Sequence, residues 1–280
     1  SYAVQFLELN NVDEADFKAL CLVCHLAGIK NSEYSLHIDD EIIMSRLAKS
    51  LWRLKEGEPL QYVLGKWDFY ESEFYVGKGV LIPRPETEEL VEKVIDYAKN
   101  LINPVIYDLC SGSGCIGISI AKAVPGAVVY CIEKSDDAFY YLEKNAKGVS
   151  NVNIIHGDIN DSFDIEPADI IVSNPPYFFN SLKCPDGQRN IARHIVGLDF
   201  ESLIDSCGRL LSPSGRFSVI IPTDGMDEFM RIASEGGLCL SRRTWIKTKP
   251  DAAPKRVLME FKKQPAVSVE SCLVVELSRH

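Results

Sequence analysis

Between Val105 and Val124 the chain reads as a strand, a glycine turn and a helix in unbroken succession, and that order leaves few folds open. Val105-Ile106-Tyr107-Asp108-Leu109 is an apolar, strand-like run. Cys110-Ser111-Gly112-Ser113-Gly114-Cys115-Ile116-Gly117 follows as a turn with three glycines, and Ile118 to Val124 opens a helix. Such a turn brings backbone N–H groups close to a ligand at a helix N-terminus. Further strand-like runs come at Ala127 to Ile132, Val152 to His156 and Asp169 to Ser173. Strands that alternate with helices predict an α/β fold, a mostly parallel sheet covered on both faces. Arg216 to Ile221 reads as a late strand, and Leu238 to Ile246 with Arg256 to Phe261 as a final pair that closes the sheet.

Acids stand in order at the carboxyl ends of these runs. Asp108 sits just before the glycine turn, where it would repel a pyrophosphate but could hold the cationic methionine amine of S-adenosylmethionine. No Gly-Lys-Ser/Thr is present, which excludes a P-loop. Glu133 ends the second strand and is placed to accept ribose hydroxyls. Asp158 follows the third strand and is placed to accept from an adenine amine, with Ile159 against the ring. The expected cofactor contacts are Asp108, Leu109, Cys110, Ser111, Gly112, Gly114, Glu133, Asp158, Ile159 and Asn174.

Asn174-Pro175-Pro176-Tyr177 ends the fourth strand. Proline has no N–H and fixed φ, so carbonyls around the pair stay out of any ladder. The Asn174 side chain and the Pro175 carbonyl can together accept from one planar NH2 group, and Tyr177 can lie on its flat face. The site suits an amide or a nucleobase amine awaiting an electrophile.

These residues resemble the class I, Rossmann-like S-adenosylmethionine-dependent amino-methyltransferases. Gly57-Glu58-Pro59-Leu60-Gln61-Tyr62-Val63-Leu64-Gly65, Phe69-Tyr70 and Val80-Leu81-Ile82-Pro83-Arg84-Pro85-Glu86-Thr87-Glu88 are similar to the signatures of the release-factor glutamine methyltransferases, the HemK/PrmC family. The resemblance spans about residues 12–177. It implies methyl transfer to the side-chain amide of the Gln in a release factor's Gly-Gly-Gln loop. It also implies catalytic roles for Asn174, Pro175, Pro176 and Tyr177, and substrate binding by these four with Arg84, Pro85 and Glu86. After Tyr177 the pattern changes. Gln188 to His194, Gly215 to Pro222 and Pro254 to Leu258 resemble the tRNA adenine N6-methyltransferases of the valine-tRNA type, which makes tRNA the alternative substrate.

Charge divides at the same point. Residues 1–173 hold 15 lysines and arginines against 28 acids, a net of −13; residues 174–280 hold 15 against 12, a net of +3, which together give the chain's −10. An acidic front suits a basic protein partner. A basic back, with Arg189, Arg193, Arg242, Arg243, Lys247, Lys249, Lys255 and Arg256, could touch phosphates. No apolar run reaches the roughly 18 residues of a membrane span, and no charged-then-apolar leader opens the chain, so a soluble, cytoplasmic protein is expected; it is also expected to be a monomer. Nine cysteines scattered among apolar positions read as reduced thiols. Cys21-Leu22-Val23-Cys24-His25 has the spacing of a haem attachment site, but it lies in an apolar helical stretch with no second pair nearby. Buried helix cysteines are the better reading, and no metal is expected.

Apolar residues recur at three and four from Val12 to Leu54, which predicts a small helical domain. The expected division is a helical substrate-recognition domain over 1–60, a hairpin linker over 61–85, and an S-adenosylmethionine-dependent methyltransferase domain over 86–280. A helix is expected from Glu86 to Leu101. The alternating apolar tail after Lys263 has no visible finish.

Overall fold

In a computed structural model of the chain, which describes residues 2–36, 44–176 and 200–275, two compact units are distinguished. One comprises the chain up to Trp67 with Tyr75–Ile82; the other takes Asp68–Phe74 and everything from Pro83 onward.

The first unit is helical: α1 (Tyr2–Leu9), α2 (Ala15–Ala27), a 3-10 segment (Asn31–Leu36), α3 (Met44–Lys55) and α4 (Leu60–Leu64). Helix α1 lies ahead of the periodicity that begins at Val12, but within the 1–60 span expected to be a helical domain. Leu47, Leu51 and Leu54 of α3, spaced by four and three, join Leu7 and Leu22 in one core. Cys21 and Cys24 are buried on α2, and burial pushes both thiols up. Gly28, with φ of 73°, ends that helix. The segment Gly57 to Gly65 has a local structural logic of its own. Glu58 grips Arg53 through two hydrogen bonds, one of 2.7 Å from Nε, and the same guanidinium donates to the Tyr62 and Val63 carbonyls. Pro59 caps α4, and Tyr62 Oη donates to the Val80 carbonyl at 2.6 Å. A two-stranded hairpin, β1 (Lys66–Phe69) with β2 (Ser72–Tyr75), contains the boundary between the units.

In the second unit, α5 (Pro85–Ala98) begins with Pro85 at its first position, where a missing N–H costs nothing. Then come β3 (Val105–Leu109), α6 (Cys115–Ala123), β4 (Val128–Glu133), α7 (Asp136–Ala146), β5 (Val152–His156), β6 (Ala168–Ser173), α8 (Phe200–Leu210), β7 (Leu211–Pro222), α9 (Met226–Glu235), β8 (Cys239–Lys247), β9 (Arg256–Lys262) and β10 (Val269–Val274). They make one eight-stranded sheet in the order β10-β8-β9-β7-β6-β3-β4-β5. The five strands β5-β4-β3-β6-β7 are parallel throughout. Strand β9 is antiparallel to both β7 and β8, so the expected final pair is present. The apolar tail is the exposed edge strand β10, parallel to β8.

Each face of the sheet carries its own core. Ile106, Val129, Ile170, Val172 and Ile220 pack with Val91, Val94, Ile118 and Leu142 of α5, α6 and α7. Tyr107, Ile171, Phe217, Val219 and Phe261 pack with Leu203, Cys207, Phe229 and Ile232 of α8 and α9. Alternate residues of the central strands enter opposite cores, as a sheet buried on both sides requires. No helix among the described residues is long and apolar enough to cross a membrane.

Candidate active site

Counted from β3, the parallel strands have the order 3-2-1-4-5, so winding reverses between β3 and β6. In open α/β sheets a crevice forms at that reversal, outside the carboxyl ends of the strands. Register fixes what meets there. Leu109 lies beside both Ser173 and Ile132, so Cys110 and Asn174 leave adjacent strands at the same level. Glu133 is level with His156, which puts Asp158 on the same rim. Ser173, which the sequence did not single out, locks β3 to β6 through a 2.7 Å bond from its Oγ to the Leu109 carbonyl.

The glycine turn is tightly determined. Cys110 (φ 61°), Gly112 (φ 58°) and Gly114 (φ 78°) are all left-handed. A Cβ on Gly114 would stand 2.5 Å from Leu142 Cδ1, and one on Gly117 would stand 2.5 Å from Cys131 Sγ and 3.0 Å from Asp108 Cβ. Several N–H groups of the turn already have acceptors inside the protein. Gly117 donates to Asp108 Oδ2 at 2.9 Å, Gly112 to Glu133 Oε2 at 2.8 Å, Gly114 to the Ser111 carbonyl and Ser111 to the Ile132 carbonyl. Ser111 Oγ donates to the Asp108 carbonyl at 2.7 Å. The Asp108 carboxylate thus sits where a pyrophosphate would need free donors, which argues physically against a dinucleotide.

Asp108 is fully buried, and its Oδ1 has no partner. Burial, opposed by the Gly117 N–H and reinforced by the charge of Glu133, raises its carboxyl to about 7. A buried carboxylate oxygen without a donor is costly, and a cationic group at this position would relieve it. That fits the methionine amine of S-adenosylmethionine. Glu133 Oε1 also accepts from the Ser135 N–H at 2.8 Å, so its carboxylate is held at both oxygens, with lone pairs remaining for ribose hydroxyls.

The outer end of the rim differs from expectation. Asp158 Oδ2 receives Lys134 Nζ at 2.6 Å, and Oδ1 receives both the backbone N–H and the side-chain amide of Asn160. The Lys134 ammonium and these amides hold the Asp158 carboxyl below its ordinary value. Lys134 follows Glu133 directly, and that adjacency is the signal the sequence holds for it. Ile159 is only 4% exposed and packs in the core under α8, where its carbonyl accepts from Ser206 Oγ and Arg209. Its side chain therefore does not offer the expected ring-facing surface.

Of the four-residue motif, Asn174 is half-buried, Pro175 buried and Pro176 exposed; Tyr177 lies outside the described residues. Arg84 is exposed at the start of α5, and Pro85 opens that helix. Glu86 is within 3.8 Å of Arg256, which is paired with Pro222 at the carboxyl end of β7, so this segment belongs to the same rim. Among the described residues no group of three His, Cys, Asp or Glu side chains could hold a metal ion.

Two family models match the chain: the PrmC N-terminal domain over residues 1–65 and the methyltransferase small domain over residues 87–224. A tRNA1(Val) (adenine(37)-N6)-methyltransferase of Phocaeicola vulgatus is 43% identical over 182 residues, which cover 62% of this chain and 76% of the relative. A release factor glutamine methyltransferase of Flavobacterium psychrophilum is 44% identical over 146 residues, 50% of this chain and 51% of the relative. Another, from Thermodesulfovibrio yellowstonii, is 38% identical over 164 residues, 56% of this chain and 58% of the relative. Among solved structures, the ribosomal protein L11 methylase of Lactobacillus delbrueckii is similar at a TM-score of 0.49 and 17% identity, covering 68% of this chain and 84% of that one. The chain belongs to the S-adenosylmethionine-dependent methyltransferases of the small-domain type, with the PrmC N-terminal domain of the HemK/PrmC group ahead of that domain.

Proposed function

We propose that the chain is a protein-glutamine N5-methyltransferase acting on the Gly-Gly-Gln loop of peptide chain release factors, as a cytoplasmic monomer. The match of residues 1–65 to the PrmC N-terminal domain carries this reading, since it lies outside the methyltransferase domain common to both substrate classes. In it the helical unit recognises the release factor. The acidic balance of residues 1–173 favours a basic protein over a polyanion.

Bound S-adenosylmethionine supplies an electrophilic sulfonium methyl. Asp108, Leu109 to Gly112, Gly114, Glu133 and the Asp158 loop hold the cofactor: Asp108 toward its amine, Glu133 toward its ribose, and Asp158 toward its adenine. The target amide is a poor nucleophile, so the protein's task is orientation and exclusion of water. Asn174 Oδ1 and the Pro175 carbonyl accept the two N–H bonds of the amide and turn its nitrogen toward the methyl, with Tyr177 over the planar face. With the cofactor held there, the amide nitrogen would take the methyl as its bond to sulfur breaks, the electron pair staying on sulfur. Both acceptors stabilise the positive charge that develops on nitrogen. The product proton is acidic and departs to solvent without a dedicated base. Arg84, Pro85 and Glu86 line the approach for the substrate loop.

The tRNA reading has its own support, in the 43% identity to the Phocaeicola vulgatus enzyme and in the basic back half. Lys249 and Lys255 are exposed in the turn between β8 and β9, at the carboxyl end of β7. The rest of the expected cationic set divides. Arg243 is paired with Glu270 and Arg256 with Glu86, while Arg189 and Arg193 lie outside the described residues. Labelled S-adenosylmethionine offered with release factor or with unmodified tRNA, in separate reactions, decides between the two. Label on the release factor, lost when its loop Gln is changed, is the expected result; label on tRNA alone overturns it.

A further inference from the structure

Under the last turns of α5 the floor of the sheet changes from apolar to charged. Toward the rim this face carries the buried Ile220, Leu258 and Ile246. Further down, register sets Ser218 of β7, Glu260 of β9 and Arg242 of β8 in one cross-strand row. With Arg216, Thr244 and the α5 residues Leu90, Lys93, Asp96 and Tyr97, they line a half-open cavity of about 260 Å³. Arg216 is level with Ile170 of β6, four residues before Asn174, so the cavity is roughly 13 Å below the rim along the strands.

One of the cations here is fixed in advance. The Arg216 guanidinium lies 3.7 Å above the Tyr97 ring and donates to Glu260 Oε1 at 3.0 Å; the same oxygen accepts from Ser241 Oγ at 2.8 Å. Arg216 Nε is buried without a partner. Arg242 has no hydrogen-bonded or ion-paired partner among the described residues, and Lys93 stands near Glu89 one turn away on α5. Three cations therefore meet the Glu260 and Asp96 carboxylates in the lining and Glu89 beside Lys93, and Glu260 is already committed to Arg216. Stacked, bridged arginine presents its remaining donors as a rigid fork, a geometry that suits phosphate oxygens.

We propose that this cavity is a phosphate-binding site separate from the methyl-transfer site, with Arg216, Arg242 and Lys93 receiving the anion. Its volume is just under the ~300–1,000 Å³ of pockets for larger ligands, so it takes a phosphate with little more than a ribose attached. The phosphate can come from a free sugar phosphate or from a nucleic-acid backbone, and the two sources are separable.

Calorimetric titration of the full chain with ribose 5-phosphate, and in parallel with unmodified tRNA, tests the site against a Lys93→Ala/Arg242→Ala double variant. Saturable binding weakened at least tenfold in the double variant is expected for one or both probes. A response to ribose 5-phosphate assigns a free metabolite, and a response confined to tRNA assigns a backbone phosphate. Neither probe binding, or both binding the double variant unchanged, overturns the proposal. If the double variant does not fold, Asp96→Asn carries the test: a few-fold gain in affinity supports the site and an unchanged Kd removes it.

Discussion

The middle and the outer end of the rim use the same side chain in opposite ways. Asp108, leaving β3, is fully buried, has one oxygen without a partner and is raised to about 7. Asp158, beyond β5, meets Lys134 and Asn160 and is held below its ordinary value. Position in the sheet explains the difference. Strand β3 has a neighbour on each side and a core on each face, so a carboxylate at its end loses its water. Strand β5 is the last strand, with one neighbour, and its loop reaches solvent and a lysine. An acid at a strand end is therefore not a single kind of ligand. The central one is incomplete without a cation; the outer one is complete already.

The comparison predicts a steep gradient of mutational effect along the rim. Asn174, at the point of reversal, stands at its top. In the proposed mechanism Asn174→Ala removes one of two acceptors on the transferring nitrogen, and loss of one such group costs about 10²–10³ in turnover. Transfer is expected to vanish within detection while cofactor affinity stays within a few-fold. Single-turnover rates alongside cofactor titration read both quantities, and normal turnover would remove Asn174 from the site.

Next comes the titration of Asp108. Its folded value of about 7 is above its ordinary 3.8, so the native state keeps a proton that the unfolded chain releases. The stabilising contribution is full below about pH 4 and is lost as pH rises through 7, an effect on the order of 2–4 kcal/mol. Urea midpoints measured from pH 5 to 8 should fall for the chain relative to Asp108→Asn. Saturating S-adenosylmethionine should move the decline to lower pH values or abolish it. A pH-independent difference between the two proteins contradicts the buried-acid picture. Gly117→Ala tests the same place sterically. Its new Cβ would press on Cys131 Sγ and Asp108 Cβ, an overpacking worth about 1–3 kcal/mol, visible as a lower urea midpoint.

How much of this is legible in the sequence varies along the same gradient. The glycine turn, Asp108, Glu133 and Asn174 announce themselves because strand periodicity and turn chemistry are local signals, and β3, β4 and β6 carry them in short apolar runs. Ile159 misleads. An apolar residue after an acid can face a ring or a core, and the core it joins includes Leu203 and Cys207 of α8, distant in the chain. Lys134 is marked only by its adjacency to Glu133, because its partnership with Asp158 depends on how the loops after β4 and β5 approach each other. The same holds for Arg53 and Glu58: the signature Gly57 to Gly65 is visible, but the clasp that shapes it is not. Strand β10 escapes because a parallel edge strand has no hairpin turn to mark it.

The smallest effect belongs to the outer end. Lys134→Met removes the ammonium that Asp158 now holds at 2.6 Å, yet the Lys134 side chain is 61% exposed. An exposed ion pair contributes about 0–1 kcal/mol, so the thermal midpoint should barely move. Cofactor affinity is the sharper readout. If Asp158 accepts the adenine amine, the lysine competes for Oδ2, and its removal should tighten binding by no more than about fivefold, the factor that 1 kcal/mol allows. Asp158→Asn should weaken binding whether Lys134 is present or replaced, because Asn keeps the shape but exchanges one acceptor for a donor. Weaker binding in Lys134→Met would mean that the lysine itself touches the cofactor, and the contrast between a central acid awaiting a cation and an outer acid supplied with one would then hold for the free protein only.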